Sequence, residues 1–142
     1  MQGKSFRDLE VWRESMMLVE EIYHATEVFP RDQIYSLTQQ AQRSAVSVPS
    51  NIAEGHGRKR DREFAYHVRV ARGSLCELET QMWISERLGF LSTTNMAVLN
   101  ERIQRVGRLL NGLTRYLEKS GLDKVEPLPS ETAARRPTAA VE

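Results

Sequence analysis

The stretch Val46-Ser47-Val48-Pro49-Ser50-Asn51-Ile52-Ala53-Glu54-Gly55-His56-Gly57-Arg58-Lys59-Arg60 decides how the chain folds, because its residues carry one helix to its end and turn it into the next. Pro49 fixes its own φ, lacks the N–H that a helix interior uses, and biases Val48 away from the α region. A helix crossing this point is expected to bend or restart. Asn51 and Glu54 stand three residues apart and so share one helical face, where they are expected to hydrogen-bond a partner helix and close the helix end. Gly55 and Gly57 follow as stops that tolerate positive φ, which places the end of the helix near Glu54. The segment closes on the cations Arg58, Lys59 and Arg60, followed by Arg62.

Working outward, the helix that enters this stretch is expected to begin near Asp32, whose carboxylate suits an N-terminus. Ile34, Leu37, Ala41, Ala45, Val48 and Ile52 lie on one side of it, and the small alanines imply close helix approach. Downstream, Phe64, Val68, Ala71, Leu75, Leu78 and Met82 predict a long third helix ending at Gly89. Towards the N-terminus, Ser5 and Asp8 resemble a capping box, and Leu9, Trp12, Met16, Val19 and Tyr23 predict the buried stripe of a first helix that Pro30 stops. Ser92, Thr93 and Thr94 offer a cap for a fourth helix. Its stripe, Met96, Leu99, Ile103, Val106, Leu110, Leu113 and Leu117, alternates three and four without a break and ends at Gly121.

From Asp123 onward the chain turns to proline, serine, threonine, alanine and charge, with few apolar residues to bury. The expected organisation is therefore one bundle domain over residues 1–122 and a disordered tail over 123–142. Short connections, sustained helical stripes and no strand-like alternation make the fold all-α: an antiparallel up-down four-helix bundle with a kinked second helix.

A chain of 142 residues is one domain's worth, and no apolar run approaches the length that spans a bilayer. The N-terminus meets charge at once and offers no cleavable apolar leader, so a cytoplasmic location without membrane attachment is expected. Cys76 is the only cysteine, which excludes an internal disulfide and a cysteine-rich zinc site. The net charge is only +1, and its distribution is more informative. Glu10, Glu14, Glu20 and Glu21 crowd the first helix, whereas Arg58, Lys59, Arg60, Arg62, Arg69 and Arg72 crowd the middle of the chain.

Several ordered segments resemble one bacterial family. These are Phe6-Arg7-Asp8-Leu9-Glu10-Val11-Trp12, Phe29-Pro30, Tyr35-Ser36-Leu37-Thr38-Gln39-Gln40, Ser47 to Gly55, and Gly73-Ser74-Leu75-Cys76-Glu77-Leu78-Glu79-Thr80-Gln81. Together they look like the proteins encoded in intervening sequences of bacterial 23S ribosomal RNA genes, over about Phe6 to Leu122. The resemblance implies a helical bundle that assembles into a ring-like homopentamer. It also implies a distant relationship to the accessory protein of diversity-generating retroelements, which binds nucleic acid and a reverse transcriptase. It implies no catalytic residues. Where many relatives have two adjacent basic residues, this chain has Gln42-Arg43.

The residues themselves also argue against catalysis. A di-iron bundle site needs two Glu-x-x-His motifs, and Glu21-x-x-His24 has no second. No hydrolase constellation and no phosphate-binding glycine loop occurs, so neither enzyme activity, metal nor cofactor is expected. On the fourth helix Arg105, Arg108, Arg115 and Lys119 fall opposite the leucine stripe. With Arg58, Lys59, Arg60 and Arg62 they are candidates for contacting RNA or DNA phosphates. The same cations are equally suited to pairing with Glu10, Glu14 and Glu21 of a neighbouring subunit, or to remaining solvated. On the third helix Tyr66, Val70, Gly73 and Ile84 lie away from the core stripe, and a glycine inside a helix suggests close packing from outside. The expected partners are therefore further copies of the chain, with RNA or DNA, or an unidentified protein bound through the rim or tail, as further candidates.

Overall fold

A computed structural model describes residues 5–124. It contains a 3-10 turn (Phe6–Asp8), α1 (Glu10–Thr26), a 3-10 turn (Arg31–Gln33), a π-helical turn (Ile34–Thr38), α2 (Gln39–Gly57), α3 (Asp61–Arg87) and α4 (Thr93–Lys124). Among the described residues there is no strand, and no helix is long and apolar enough to cross a membrane. The expected tail lies almost wholly outside the described residues, and α4 runs past Gly121 to Lys124.

The four helices pack around one core. Cross-helix contacts run in opposite sequence order, as antiparallel neighbours require. On the α2–α3 seam Ser47 meets Ser74 and Asn51 meets His67. On the α3–α4 seam Arg69 meets Glu118 and Glu79 meets Gln104. The stripes predicted for α3 and α4 are buried throughout, from Phe64 to Met82 and from Met96 to Leu117. On the α2 side Leu37, Ala41, Ala45, Val48 and Ile52 are buried, whereas Ile34 stays half exposed in the π-helical turn.

Three local expectations are corrected. The first concerns α1, whose core face is Val11, Ser15, Leu18, Ile22 and Thr26, while Met16 and Tyr23 remain 39% and 45% exposed. Ser15 and Thr26 can enter the core because their hydroxyls donate to carbonyls of their own helix, Ser15 Oγ to Trp12 (2.8 Å) and Thr26 Oγ1 to Ile22 (2.9 Å). A stripe counted from apolar residues alone is therefore rotated onto the flank.

The second correction concerns Pro49, where the helix does not restart: it is buried inside one continuous α2, and a departure from helical torsions lies at Ser36 (φ −128°, ψ −109°), ahead of the helix. Val48 and Ile52, both fully buried, hold the turns on either side of the proline against the core.

The third correction concerns the glycines. α2 continues to Gly57, and the residue that turns the chain with positive φ is Lys59 (63°). Gly55 serves closeness instead: a Cβ there would lie 2.7 Å from His67 Cβ and 2.9 Å from Phe64 Cδ1. At the other end of α3, Gly89 does adopt positive φ (82°), with its N–H and that of Phe90 donating to Glu86 and Ser85 carbonyls. Ser92 Oγ then accepts from Asn95 N–H at the start of α4.

A paired substitution separates the two glycines. Gly55→Ala is expected to destabilise the fold by about 1–3 kcal/mol, because overpacking outweighs the helix propensity gained. Gly57→Ala, with nothing within 4 Å of its added Cβ, should be neutral or stabilising. Chemical denaturation of the two variants beside the parent chain measures both.

Candidate interaction surfaces

The α1–α4 seam is held by a ladder of charge. Arg102 donates from Nε and Nη2 to the two carboxylate oxygens of Glu21 (3.2 and 3.1 Å) and from Nη1 to Glu14 (2.8 Å). Arg105 lies one turn further along α4 and pairs with Glu10 (2.7 Å) and Glu14 (3.0 Å). The acids expected to pair across subunits, Glu10, Glu14 and Glu21, are thus engaged within the chain. α1 and α4 are direct neighbours, so the two charged flanks meet before any second molecule is involved. Arg102 escapes a reading that looks for cations opposite the leucine stripe, because it sits at the edge of that stripe.

Glu14 is the most enclosed member of the ladder, its side chain 13% exposed. Burial pushes its carboxyl up, but the hydrogen bonds and charges of Arg102 and Arg105 outweigh that and hold it below the usual carboxylate range. A partly buried, bidentate network of this kind contributes more than an isolated exposed pair.

The α2–α3 seam explains the conspicuous polar residues of the opening stretch. Asn51 Nδ2 donates to the Ser47 carbonyl (2.9 Å) and lies 3.1 Å from Ser47 Oγ. The carbonyl can only accept, so it orients the Asn51 amide and leaves Oδ1 to accept from His67 Nδ1 (3.2 Å). The other ring nitrogen of His67 lies 3.9 Å from Glu54, and Ser47 Oγ lies 2.7 Å from Ser74 Oγ. Glu54 also accepts from Arg58 (2.9 Å), and that bond, with the neighbouring His67, holds its carboxyl below the usual range. Asn51 and Glu54 therefore tie α2 to α3. His67, the receiving side chain, carries no motif that would have singled it out in the sequence.

The basic residues divide into engaged and unengaged groups. Arg58 is tied to Glu54, Arg60 lies 3.8 Å from Glu63, and Arg105 belongs to the α1–α4 ladder. Lys59, Arg62, Arg108, Arg115 and Lys119 are exposed and have no ion-pair partner among the described residues. Ser120 Oγ donates to Asp61 (2.6 Å), joining the start of α3 to the end of α4. That contact brings Lys59 and Arg62 to the same end of the bundle as Arg115 and Lys119.

The outer face of α3 exposes two apolar pairs, Tyr66 with Val70 and Ile84 with Leu88, on either side of Glu77. Tyr66 is 57% exposed and Ile84 43%, with Val70 and Leu88 on the same side. Gly73 sits exposed among them, and a Cβ added there would meet nothing within 4 Å. Among the described residues no three His, Cys, Asp or Glu side chains group as a metal site, and Glu21 is already committed to Arg102.

A family model described as "23S rRNA-intervening sequence protein" matches residues 7–112. No curated protein matches the chain at a significant level.

The Glu14 geometry sets an acid dependence. A carboxyl held below its ordinary value in the folded state contributes stability that is present above about pH 4.3, the unfolded value, and lost as pH falls through the folded one. Unfolding free energy measured from pH 7 to pH 3 should fall on this limb. Glu14→Gln should lower stability at pH 7 and flatten the acid limb; an unchanged acid limb would remove Glu14 as its source.

Proposed function

The chain belongs to the 23S rRNA-intervening sequence protein family, and on that premise we propose that it works without catalysis, as a self-associating four-helix scaffold in the cytoplasm. The observation that carries this reading is the outer face of α3. Glycine in a helix interior costs up to about 1 kcal/mol relative to alanine, and no neighbour within the chain requires its small size at Gly73. On the same helix face Tyr66 and Val70 before it, and Ile84 and Leu88 beyond Glu77, expose apolar surface. Contact from a second copy recovers both costs. The family resemblance supports a ring of five.

Light scattering at micromolar concentration tests this directly. The parent chain should assemble, and Ile84→Glu should reduce it to single chains with its helix content intact. A monomeric parent chain would refute the reading.

A second reading draws support from the unengaged cations at one end of the bundle. Lys59 holds a positive φ, a conformation uncommon outside glycine and asparagine, and with Arg62 it belongs to the end of the bundle where α4 carries Arg115 and Lys119. In a ring, each copy would repeat this cluster, and weak phosphate contacts would add through effective concentration. Binding of structured RNA should then fall steeply and linearly as log K against log salt. Replacing Lys59, Arg62, Arg115 and Lys119 with glutamine should shrink that slope while leaving assembly unchanged. If no RNA or DNA binds even at low salt, this second reading is lost.

A further inference from the structure

Beyond the charge ladder, where α4 runs on past Arg105, the α1–α4 seam opens into a cavity of about 310 Å³. Its walls are Leu9 and Val11 at the start of α1, and Leu109, Leu113 and Tyr116 of α4. Leu9, Val11 and Leu113 belong to the core, whereas Leu109 is partly buried and Tyr116 is 46% exposed, so the core comes to the surface here. Gly112 completes the α4 side. A Cβ added at Gly112 would meet only the far end of Arg115, Nη2 at 4.0 Å, so packing within the chain does not require a glycine at this point in a helix interior. What the missing side chain provides is open space between Leu109 and Tyr116.

The charge around this space has one sign left over. Two charged side chains line it, Glu10 and Arg108. The Glu10 carboxylate accepts from Arg105 Nη2 (2.7 Å), which balances its charge. Arg108 stands one turn before Gly112 on the same side of α4 and has no ion-pair partner among the described residues, and Arg115, whose guanidinium approaches Gly112, has none either. Apolar walls thus meet uncompensated positive charge. Elsewhere on the α1–α4 flank this combination is missing. A depression formed by Ala25, Val98 and Leu99 is bordered by Glu20, Glu21 and His24, with no lysine or arginine in its lining, and another is lined mainly by polar side chains that include Glu101, Arg102 and Gln104.

We propose that the cavity at Gly112 binds a free medium-chain carboxylate, with its apolar body against Leu9, Leu109 and Tyr116 and its carboxylate at Arg108, Arg115 alongside. From Leu109 to Tyr116 the helix rises about 10 Å, which an extended eight-carbon chain matches. The volume lies at the lower end of the range for small-molecule sites, whose walls are mostly apolar with a few polar groups that fix orientation. A cation of the same length would face like charge, and a neutral chain would leave the arginines without a partner. The cavity draws on α1 and α4 alone, so this binding does not depend on self-association through α3.

Octanoate and octan-1-ol, titrated calorimetrically into the full chain, separate the apolar from the charged half of the site. One octanoate should bind per chain, at least fivefold more tightly than octanol. Arg108→Gln combined with Arg115→Gln, both at exposed positions, should bring octanoate down to the octanol level and leave octanol unchanged. Gly112→Leu raises helix propensity and places a side chain in the cavity, so it should weaken both ligands at least tenfold while circular dichroism and the denaturation midpoint show an intact fold. Absence of octanoate binding to the parent chain at millimolar concentration would overturn the proposal, as would undiminished binding by Gly112→Leu. Equal affinity for octanoate and octanol, or octanoate binding that survives the loss of both arginines, would overturn the carboxylate assignment even if Gly112→Leu failed to fold.

Discussion

The close approach of α2 and α3 at Gly55 is the constraint from which much of the molecule follows. With no Cβ in the way, the α2 backbone comes against Phe64 and His67. That separation lets Asn51 reach His67 and Ser47 reach Ser74 at hydrogen-bond distance. These groups are partly withdrawn from water and need their partners, so polar satisfaction and helix spacing support each other. A shift of α2 large enough to accommodate a methyl group would loosen the entire chain from Ser74 to Glu54. The same tight hairpin leaves three residues, Arg58 to Arg60, to reverse direction, and Lys59 takes the left-handed conformation at their centre.

The opposite side of the bundle is joined by a different kind of interaction. Arg102 and Arg105 bridge α4 to three glutamates of α1, with Glu14 shared between the two arginines. This network decides what the surface has left to offer. Glu10, Glu14, Glu21 and Arg105, which looked available for a neighbour or a nucleic acid, are consumed along the α1–α4 seam, while Lys59, Arg62, Arg115 and Lys119 stay unengaged towards the end where α3 begins and α4 finishes. Apolar residues outside the core stay exposed on α3 and beside the α1–α2 seam.

Much of this architecture is legible in the residues alone. The long apolar stripes of α3 and α4 coincide with their buried faces, even though Ser74, Ser85 and Thr114 are buried beside them. The stripe of α1 is misread because two core positions are hydroxyl residues that satisfy themselves on their own helix. At Pro49 the helix continues where a restart was one of two expectations, and it runs three residues past the expected end at Glu54, since intrinsic propensity is weaker than the packing of Val48 and Ile52. Of the candidate interaction residues, the exposed apolar set on α3 is visible as a departure from the core stripe, whereas the engagement of Arg105 and the role of Arg102 are not.

The sequence by itself determined the number and order of the helices, the buried faces of α3 and α4, and the places where polar or small residues depart from a simple core pattern. These depend on periodicities within one helix. Only the tertiary structure decided that Glu10, Glu14 and Glu21 meet α4 of the same chain, that Gly55 serves closeness and not a turn, and that Asn51 and Glu54 hold His67. Such facts depend on which helix lies beside which flank, and on differences of a few tenths of an ångström in the spacing of side chains far apart in the chain. A period of 3.6 residues carries information on neither.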